Sequence, residues 1–395
     1  MNSFDVRIQG SGIVSRAMAL ALARQGLKVA LQARQDVAPR STITSPAPQG
    51  GMSKVAEPHL PMAERSAPDL RAYALNPTSV ALLTGLRAWD ALPADARTAV
   101  YDMKVAGDAP GALIEFSAWA QAVPELAWIV DAAALEDVLD AATRFAPQVT
   151  LQTEPGPAAL TIVAEGKASE ARARLGVTFE RHGYGHSALA ARLVSDQAHA
   201  GVARQWFRAP DILALLPFDR PEPTQSYGLV WSLPETLAQE WLTAPVADFE
   251  AALNEATGGA SGTLRLVSER AAWPLALGHA SALTGPGWAL VGDAAHVVHP
   301  LAGQGLNLGL ADVATLAEVL AARESWREVG DANLLRRYAR RRAGATRLMA
   351  GATDGLWHLF ANQAPGLREL RNHGLSLVNH LPPLKRWLIG QALDV

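Results

Sequence analysis

The chain has 395 residues, 49% hydrophobic and 18% charged, enough to bury a large core and, at ~150 residues per domain, to form two or three folding units. Thirty-five Lys and Arg against 38 Asp and Glu leave a formal charge of −3, so no global positive field points to nucleic acid. The absence of cysteine excludes disulfides, thiolate nucleophiles, Cys-ligated zinc and iron–sulfur clusters, so redox chemistry needs a bound organic cofactor and no metal site is expected.

No basic leader with a cleavage site precedes the strand-like stretch at Phe4, and no apolar run reaches the ~18 residues of a membrane span. These features set the expectation of a cytoplasmic protein. From Phe4 the sequence FDVRIQGSGIVSRAMALALARQGLKVALQA reads as strand, glycine turn, amphipathic helix, a stop at Gly26 and a second strand, a βαβ unit. Asp36 to Pro68 shifts to Pro, Ser, Thr and Gly and reads as a long surface loop. Residues 76–145 read as mostly helical, with a strand near Trp128–Val130, and 159–164 as another buried strand. From about 184 to 270, strand patterns such as Ile212–Pro217 and Tyr227–Trp231 alternate with Pro-rich turns, predicting a separate sheet-rich unit. A strand at Trp288–Val291 is followed by a Gly-rich turn and helices to the C-terminus.

Two motifs carry chemistry. Gly10-Ser11-Gly12-Ile13-Val14-Ser15 is a GxGxxS turn between strand and helix, where glycines let the backbone approach a pyrophosphate at a helix N-terminus; Gly10, Gly12 and Ser15 are candidate cofactor contacts. The carboxylate expected at the end of the second strand is replaced by Ala33, between Gln32 and Arg34. That loss weakens the ribose contact without removing the phosphate one, with stacking of Arg34 on adenine as a compensation. The second motif runs from Gly292 to Asp312, GDAAHVVHPLAGQGLNLGLAD. Asp293, after a buried strand, suits a ribityl hydroxyl, and the Gly303–Asn307 backbone can present N–H donors and a helix dipole to an electron-rich ring edge.

This second run resembles the flavin motif of class A FAD monooxygenases, specifically the ubiquinone-biosynthesis hydroxylases. Arg71–Asn76 resembles the segment whose Arg approaches the FAD phosphates, Glu165–Arg172 the Asp-Gly motif, Gly201–Pro217 the substrate-domain sheet and Trp273-Pro274-Leu275 the aromatic-Pro-Leu element, so the likeness spans the chain. The departures are Ser15, Ala33, Glu165 in place of Asp, and Asp131-Ala132, which lacks a polar pair. The resemblance implies an α/β fold: a doubly wound, Rossmann-like FAD-binding domain with strand order 3-2-1, an inserted β-sheet substrate domain and C-terminal helices. Residues 1–75, 101–180 and 268–330 would form the FAD-binding domain, 76–100 and 181–267 the substrate domain, and 331–395 a helical region. It implies cofactor contacts from Gly10, Gly12, Ser15, Arg71, Asp293, Gly303, Gln304, Gly305, Leu306 and Asn307, with His299 and Pro300 at the reacting ring. Asn307 and Gln304 are expected to act through backbone N–H groups rather than side chains. His296 reads as a structural hydrogen-bonding residue in preference to an acid–base group.

The implied activity is hydroxylation of a polyprenylated phenol with FAD as cofactor, NAD(P)H as transient reductant and O2 as oxygen donor, through a flavin C4a-hydroperoxide. The implied partners are that hydrophobic phenol, a ubiquinone-biosynthesis complex or the inner face of a membrane, and no nucleic acid. A hydroxylase of a small soluble aromatic and a flavin-free scaffold protein remain alternatives. Arg336, Arg337, Arg340, Arg341 and Arg342 form a basic run that reads as a solvated face or an acidic-lipid surface, and Trp387 as core or as an interfacial anchor.

Overall fold

The computed structural model describes residues 4–33, 69–107, 112–154, 156–298 and 304–344. The loop expected over Asp36–Pro68, Arg34, His299, Pro300, Gly303 and Trp387 lie outside the described residues. The first strand, Phe4–Gln9, runs parallel to Val29–Gln32 on one side and to Ala158–Val163 on the other; Val149–Gln152 and Trp288–Leu290 continue the ladder outward. This six-stranded sheet is closed by a short hairpin strand, Thr284–Gly285. Its first, second and third strands stand in the expected 3-2-1 order, the third being Val149–Gln152. Val29–Leu31 and Leu160–Val163 are buried on both faces and contain apolar runs, whereas Phe4–Gln9 alternates, burying Val6 and Ile8 and leaving Asp5, Arg7 and Gln9 half-buried.

Helix Ile13–Ala23 leaves the glycine turn, and the chain reverses after it through Gly26 at φ +81°. Helices Ala132–Phe145 and Gln304–Ala321 flank it, and Leu334, Leu335 and Tyr338 of helix 332–344 join the same core.

The second layer is a nine-stranded sheet built on the long strand Phe179–Ser195, which pairs antiparallel with Ser226–Pro234 and Ala271–Ala280. Asp211–Phe218 and Val202–Arg208 extend it. One face, with Leu189, Ala191, Leu213, Leu229 and Trp231, is covered by helices Glu235–Thr243 and Val246–Thr257. A three-stranded sheet, Ala72–Leu75, Ala127–Asp131 and Arg97–Val100, packs between the two layers through Ala74, Ile129, Val100, Ala203 and Phe218.

Three expectations change. The region 76–145 is not mostly helical, because Arg97–Val100, Asp102–Ala106 and Leu113–Ser117 are strands. Asp102–Ala106 and Leu113–Ser117, expected with the nucleotide unit, pair instead into the nine-stranded sheet, the former parallel to Val202–Trp206. Conversely, helix Pro77–Gly85, expected with the substrate unit, sends Leu83 into the nucleotide-side core, followed by Leu86, Trp89 and Leu92.

Candidate functional site

The glycine turn is shaped by one close approach. Gly10 has φ +125°, and a Cβ there would stand 2.3 Å from the Ala164 carbonyl oxygen, so no other residue fits. Gly12 caps helix Ile13–Ala23 in an extended conformation with no side chain bonded over it, no acidic residue in the first turn and open space where a Cβ would be. The amides of this helix end are therefore available to an anion such as a pyrophosphate. Ser15, expected among the cofactor contacts, is buried beside Gly10, its Oγ donating to the Ala164 carbonyl at 3.3 Å. It is a helix-to-strand packing residue, the role the third glycine of such turns usually has. Sequence reasoning missed Arg16, buried and donating to the Ser11 carbonyl and, at 2.8 Å, to Asp140 on helix Ala132–Phe145. It also missed Gln32, whose Oε1 accepts the Gly10 N–H at 2.8 Å.

Asp293 lies on a single turn, Gly292–Ala294, directly after strand Trp288–Leu290. The next residues, His296–Val297, pair with Gly278–His279 of the nine-stranded sheet, so this turn sits where the chain steps from one layer to the other. Both sides of the turn are held. Gly292, at φ +60°, donates its N–H to Asp312 at 2.8 Å, and Arg172, stacked 3.9 Å over Phe179, donates to the Ala294 carbonyl at 2.9 Å. The Asp293 carboxylate itself is half-buried and takes no hydrogen bond or ion pair among the described residues.

Beneath the turn, Asp312 accepts from His296 Nε2 at 2.7 Å and from Arg342 Nε at 2.6 Å, all three side chains being buried. Burial works against the His296 imidazolium, but Asp312 outweighs it and raises its pKa above the ordinary value. Burial likewise disfavours the Asp312 carboxylate, and His296 and Arg342 together pull its pKa below the usual carboxylate value. This agrees with a structural His296. Arg342 is thereby removed from the basic run; Arg337 and Arg341 pair with Glu324 and Glu318 at 2.6 and 3.4 Å. Arg336, Arg340 and Arg341 are exposed, the solvated face expected of the run.

Helix Gln304–Ala321 begins at the same place. Among the described residues Gln304 Oε1 is buried without a partner, and a Cβ at Gly305 would meet nothing within 4 Å. Leu306 and Asn307 point elsewhere. Leu306 is in the core, and the Asn307 side chain accepts from Asn76 N–H (3.0 Å) and Ser79 Oγ (2.8 Å) while donating to the Ala74 carbonyl (2.8 Å). Asn307 therefore staples the helix to the segment following strand Ala72–Leu75, and only the backbone of these two residues is left for a ligand.

That strand carries Tyr73, a residue sequence reasoning quoted but did not single out. Burial raises the Tyr73 hydroxyl to about 12, Arg71 opposing and Asp69, Glu136 and Asp293 adding to the rise. Arg71, expected to approach phosphates, is held by Asp69 at 2.5–3.0 Å and by Glu136 at 3.3 Å, so its charge is already neutralised by carboxylates. Arg192 on the long strand ties the layers together by donating to the Arg71 carbonyl at 3.0 Å and Asp131 at 3.3 Å, over the Phe218 ring.

On the same face of the nine-stranded sheet as Arg192, directly paired residues share rows. Ala271, Ala190, Val230, Ala214 and Gln205 form one, Trp273, Ala188, Ser232 and Ile212 the next. Val230, Ala214, Gln205 and Trp273 are only half-buried. The open helix end, the free carboxylate, the orphaned Gln304 oxygen and the uncrowded Gly305 fit FAD. Gly10 and Gly12 would hold its pyrophosphate, Asp293 its ribityl chain, and Gln304 and Gly305 its ring edge.

The family described as FAD binding domain matches residues 154–352. The 3-demethoxyubiquinol 3-hydroxylase of Escherichia coli is 30% identical over 415 residues, covering 99% of this chain and 98% of that protein. Ubiquinone hydroxylase UbiL of Rhodospirillum rubrum is 29% identical, covering 98% and 89%. Among solved structures, PqsL, a probable FAD-dependent monooxygenase from Pseudomonas aeruginosa, shares the fold with a TM-score of 0.71 at 19% identity, over 95% of this chain and 100% of that one. The p-nitrophenol 4-monooxygenase PnpA from Pseudomonas putida gives 0.71 at 18% identity, over 98% and 97%.

Proposed function

The chain belongs to the FAD binding domain family and, within it, to the ubiquinone-biosynthesis hydroxylases, and from that premise we propose that it hydroxylates the ring of a polyprenylated phenol. It is an FAD-dependent monooxygenase. FAD, when bound, supplies the redox chemistry, passing electrons from NAD(P)H to O2 so that one oxygen atom reaches the ring.

The observation that carries the substrate class is the row of small apolar side chains Ala271, Ala190, Val230 and Ala214, with Ala188 in the adjacent row, on the sheet face that also carries Arg192. Ala214 and Val230 are only half-buried, and an apolar floor favours an isoprenoid by ~0.8 kcal/mol per buried CH₂. Trp273 and Ile212 border the row and present flat and branched apolar surface to a ring or tail. The protein's own part is positional. Asp293 and the helix end at Gly12 anchor the cofactor, Arg172 and Asp312 fix the turn that bears Asp293, and Arg192 keeps the substrate face in register with strand Ala72–Leu75. Removing water from the reacting ring is the work of the two apolar layers.

We place His299 and Pro300 at the ring on the strength of the motif, and take the tail to be drawn from a lipid or detergent surface at the inner face of a membrane or within a biosynthetic complex. No helix among the described residues is long and apolar enough to cross a membrane. The decisive experiment is NAD(P)H-dependent oxygen uptake with mass analysis of product on phenols of graded tail length, with and without detergent. Efficiency should rise with tail length, and equal efficiency on an unprenylated phenol would transfer the assignment to a soluble aromatic.

A further inference from the structure

Gln32 ends the second parallel strand, beside the glycine turn, and its Oε1 accepts the Gly10 N–H at 2.8 Å. A backbone N–H can only donate, so the amide's orientation is set: the carbonyl oxygen faces the turn and Nε2, with its two donors, is left over. Among the described residues nothing accepts from Nε2, and Gln32 is half-buried rather than enclosed. The carboxyl end of this strand in a doubly wound sheet is where an adenosine ribose lies, usually met by a carboxylate. Here Ala33 has no polar side chain, and its N–H is spent on the Gln152 carbonyl at 2.7 Å.

We infer that Gln32 reads the adenosine ribose of FAD in this chain, Nε2 donating to a ribose hydroxyl while Oε1 holds the glycine turn. The inference rests on FAD occupying that turn. One side chain thereby joins two parts of the cofactor site: the amide that shapes the pyrophosphate turn also carries the sugar contact. A neutral donor replaces a charged acceptor, so the ribose contact does not depend on an ionised group.

The test is fluorescence titration of the flavin-stripped full-length protein with FAD and with an FAD analogue whose adenosine ribose lacks both hydroxyls. The wild type should bind the analogue about three- to tenfold more weakly, the range of one neutral hydrogen bond. Gln32→Leu should bind FAD and the analogue equally, and Gln32→Glu, which keeps an acceptor for Gly10 and offers another to the sugar, should still discriminate. A variant that merely disturbs the turn would weaken both flavins and keep their ratio, so retained discrimination in Gln32→Leu overturns the inference, as does a wild type that does not discriminate. Should Gln32→Leu not fold, Gln32→Met, of nearly equal volume, takes its place. Failure of the wild type to bind FAD at all would fell the flavoenzyme assignment itself, a result distinct from FAD binding without discrimination.

Discussion

Gly309 sets the distance between the glycine turn and the Gly292–Ala294 turn, the two proposed to grip the cofactor. A Cβ at this position would stand 2.8 Å from Val14 Cγ2 and 3.4 Å from the Gly292 Cα. Comfortable carbon contacts lie at ~3.5–4.0 Å, so Gly309→Ala requires helices Ile13–Ala23 and Gln304–Ala321 to part by up to roughly 1 Å. Neither neighbour yields easily: Val14 is β-branched, and Gly292 is pinned by its N–H to Asp312 at 2.8 Å. Overpacking of this kind costs ~1–3 kcal/mol, against a gain of ~1 kcal/mol that an unobstructed helical Gly→Ala would bring. The displacement also separates Gly12 from Asp293, so FAD affinity should fall by about tenfold or more, ~1.4 kcal/mol. Val14→Ala clears the obstruction. In that background Gly309→Ala should be neutral or stabilising, a coupling of ~1–3 kcal/mol between the two sites. Thermal melts with and without FAD, together with flavin titrations of the four proteins, measure it. A Gly309→Ala protein as stable as wild type, or additive effects in the double variant, would refute the reasoning.

Asp293→Ala should leave the far-ultraviolet circular dichroism unchanged, since its carboxylate makes no bond among the described residues, yet weaken FAD by ~1.5–3 kcal/mol in titration. The His296–Asp312 pair predicts a pH window. His296, raised above 6.5, contributes fully below pH 6.5 and loses its contribution as pH climbs through its folded value; Asp312, lowered below 3.8, contributes above pH 3.8 and fails as pH drops through its own. Urea unfolding should therefore show wild-type stability declining as pH rises above 6.5 more steeply than that of His296→Gln, and parallel slopes would contradict the assignment. Ala214→Phe should fill the substrate floor, lowering turnover efficiency on long-tailed phenols relative to short ones in the same oxygen-uptake assay; a uniform change across tail lengths would remove that row from the substrate path.

The parts legible in the sequence were those whose physics is local. The βαβ unit announces itself through period, glycine turn and stop: Phe4–Gln9 alternates around buried Val6 and Ile8, and Val29–Leu31 reads as a short apolar run. The flavin motif announces Asp293 because a carboxylate follows a buried strand into a glycine-bearing turn. Arg97–Ser117 was illegible because its strands are short and half-exposed, with nothing in DMKVA or RTAV that demands a sheet; their pairing comes from Val202–Arg208 and Ala127–Asp131, far along the chain. Ser15 and Asn307 share the signature of cofactor contacts, but their partners, Ala164 and the segment Ala74–Ser79, become visible only in three dimensions. Attention to Ala33 as the missing acid overlooked Gln32, one residue earlier, whose side chain meets the glycine turn.

The order in which this chain leaves the ribosome bears on how it can be assembled. Strand Phe4–Gln9 finds one neighbour early, at Val29–Gln32, but its other edge waits for Ala158–Val163, whose own far edge waits for Trp288–Leu290. The second sheet is no more modular, because Asp102–Ala106 pairs with Val202–Trp206 and its last edge is His296–Val297. No N-terminal fragment ending before those strands contains either finished sheet, and unpaired parallel edges are slow to close and prone to aggregate. The stretch from Trp288 to Val297 completes both ladders and carries Asp293 between them. With Asp293 holding the flavin as proposed, cofactor capture is deferred until the two layers are joined, and the appearance of bound flavin during refolding would serve as a clock for the final, long-range step.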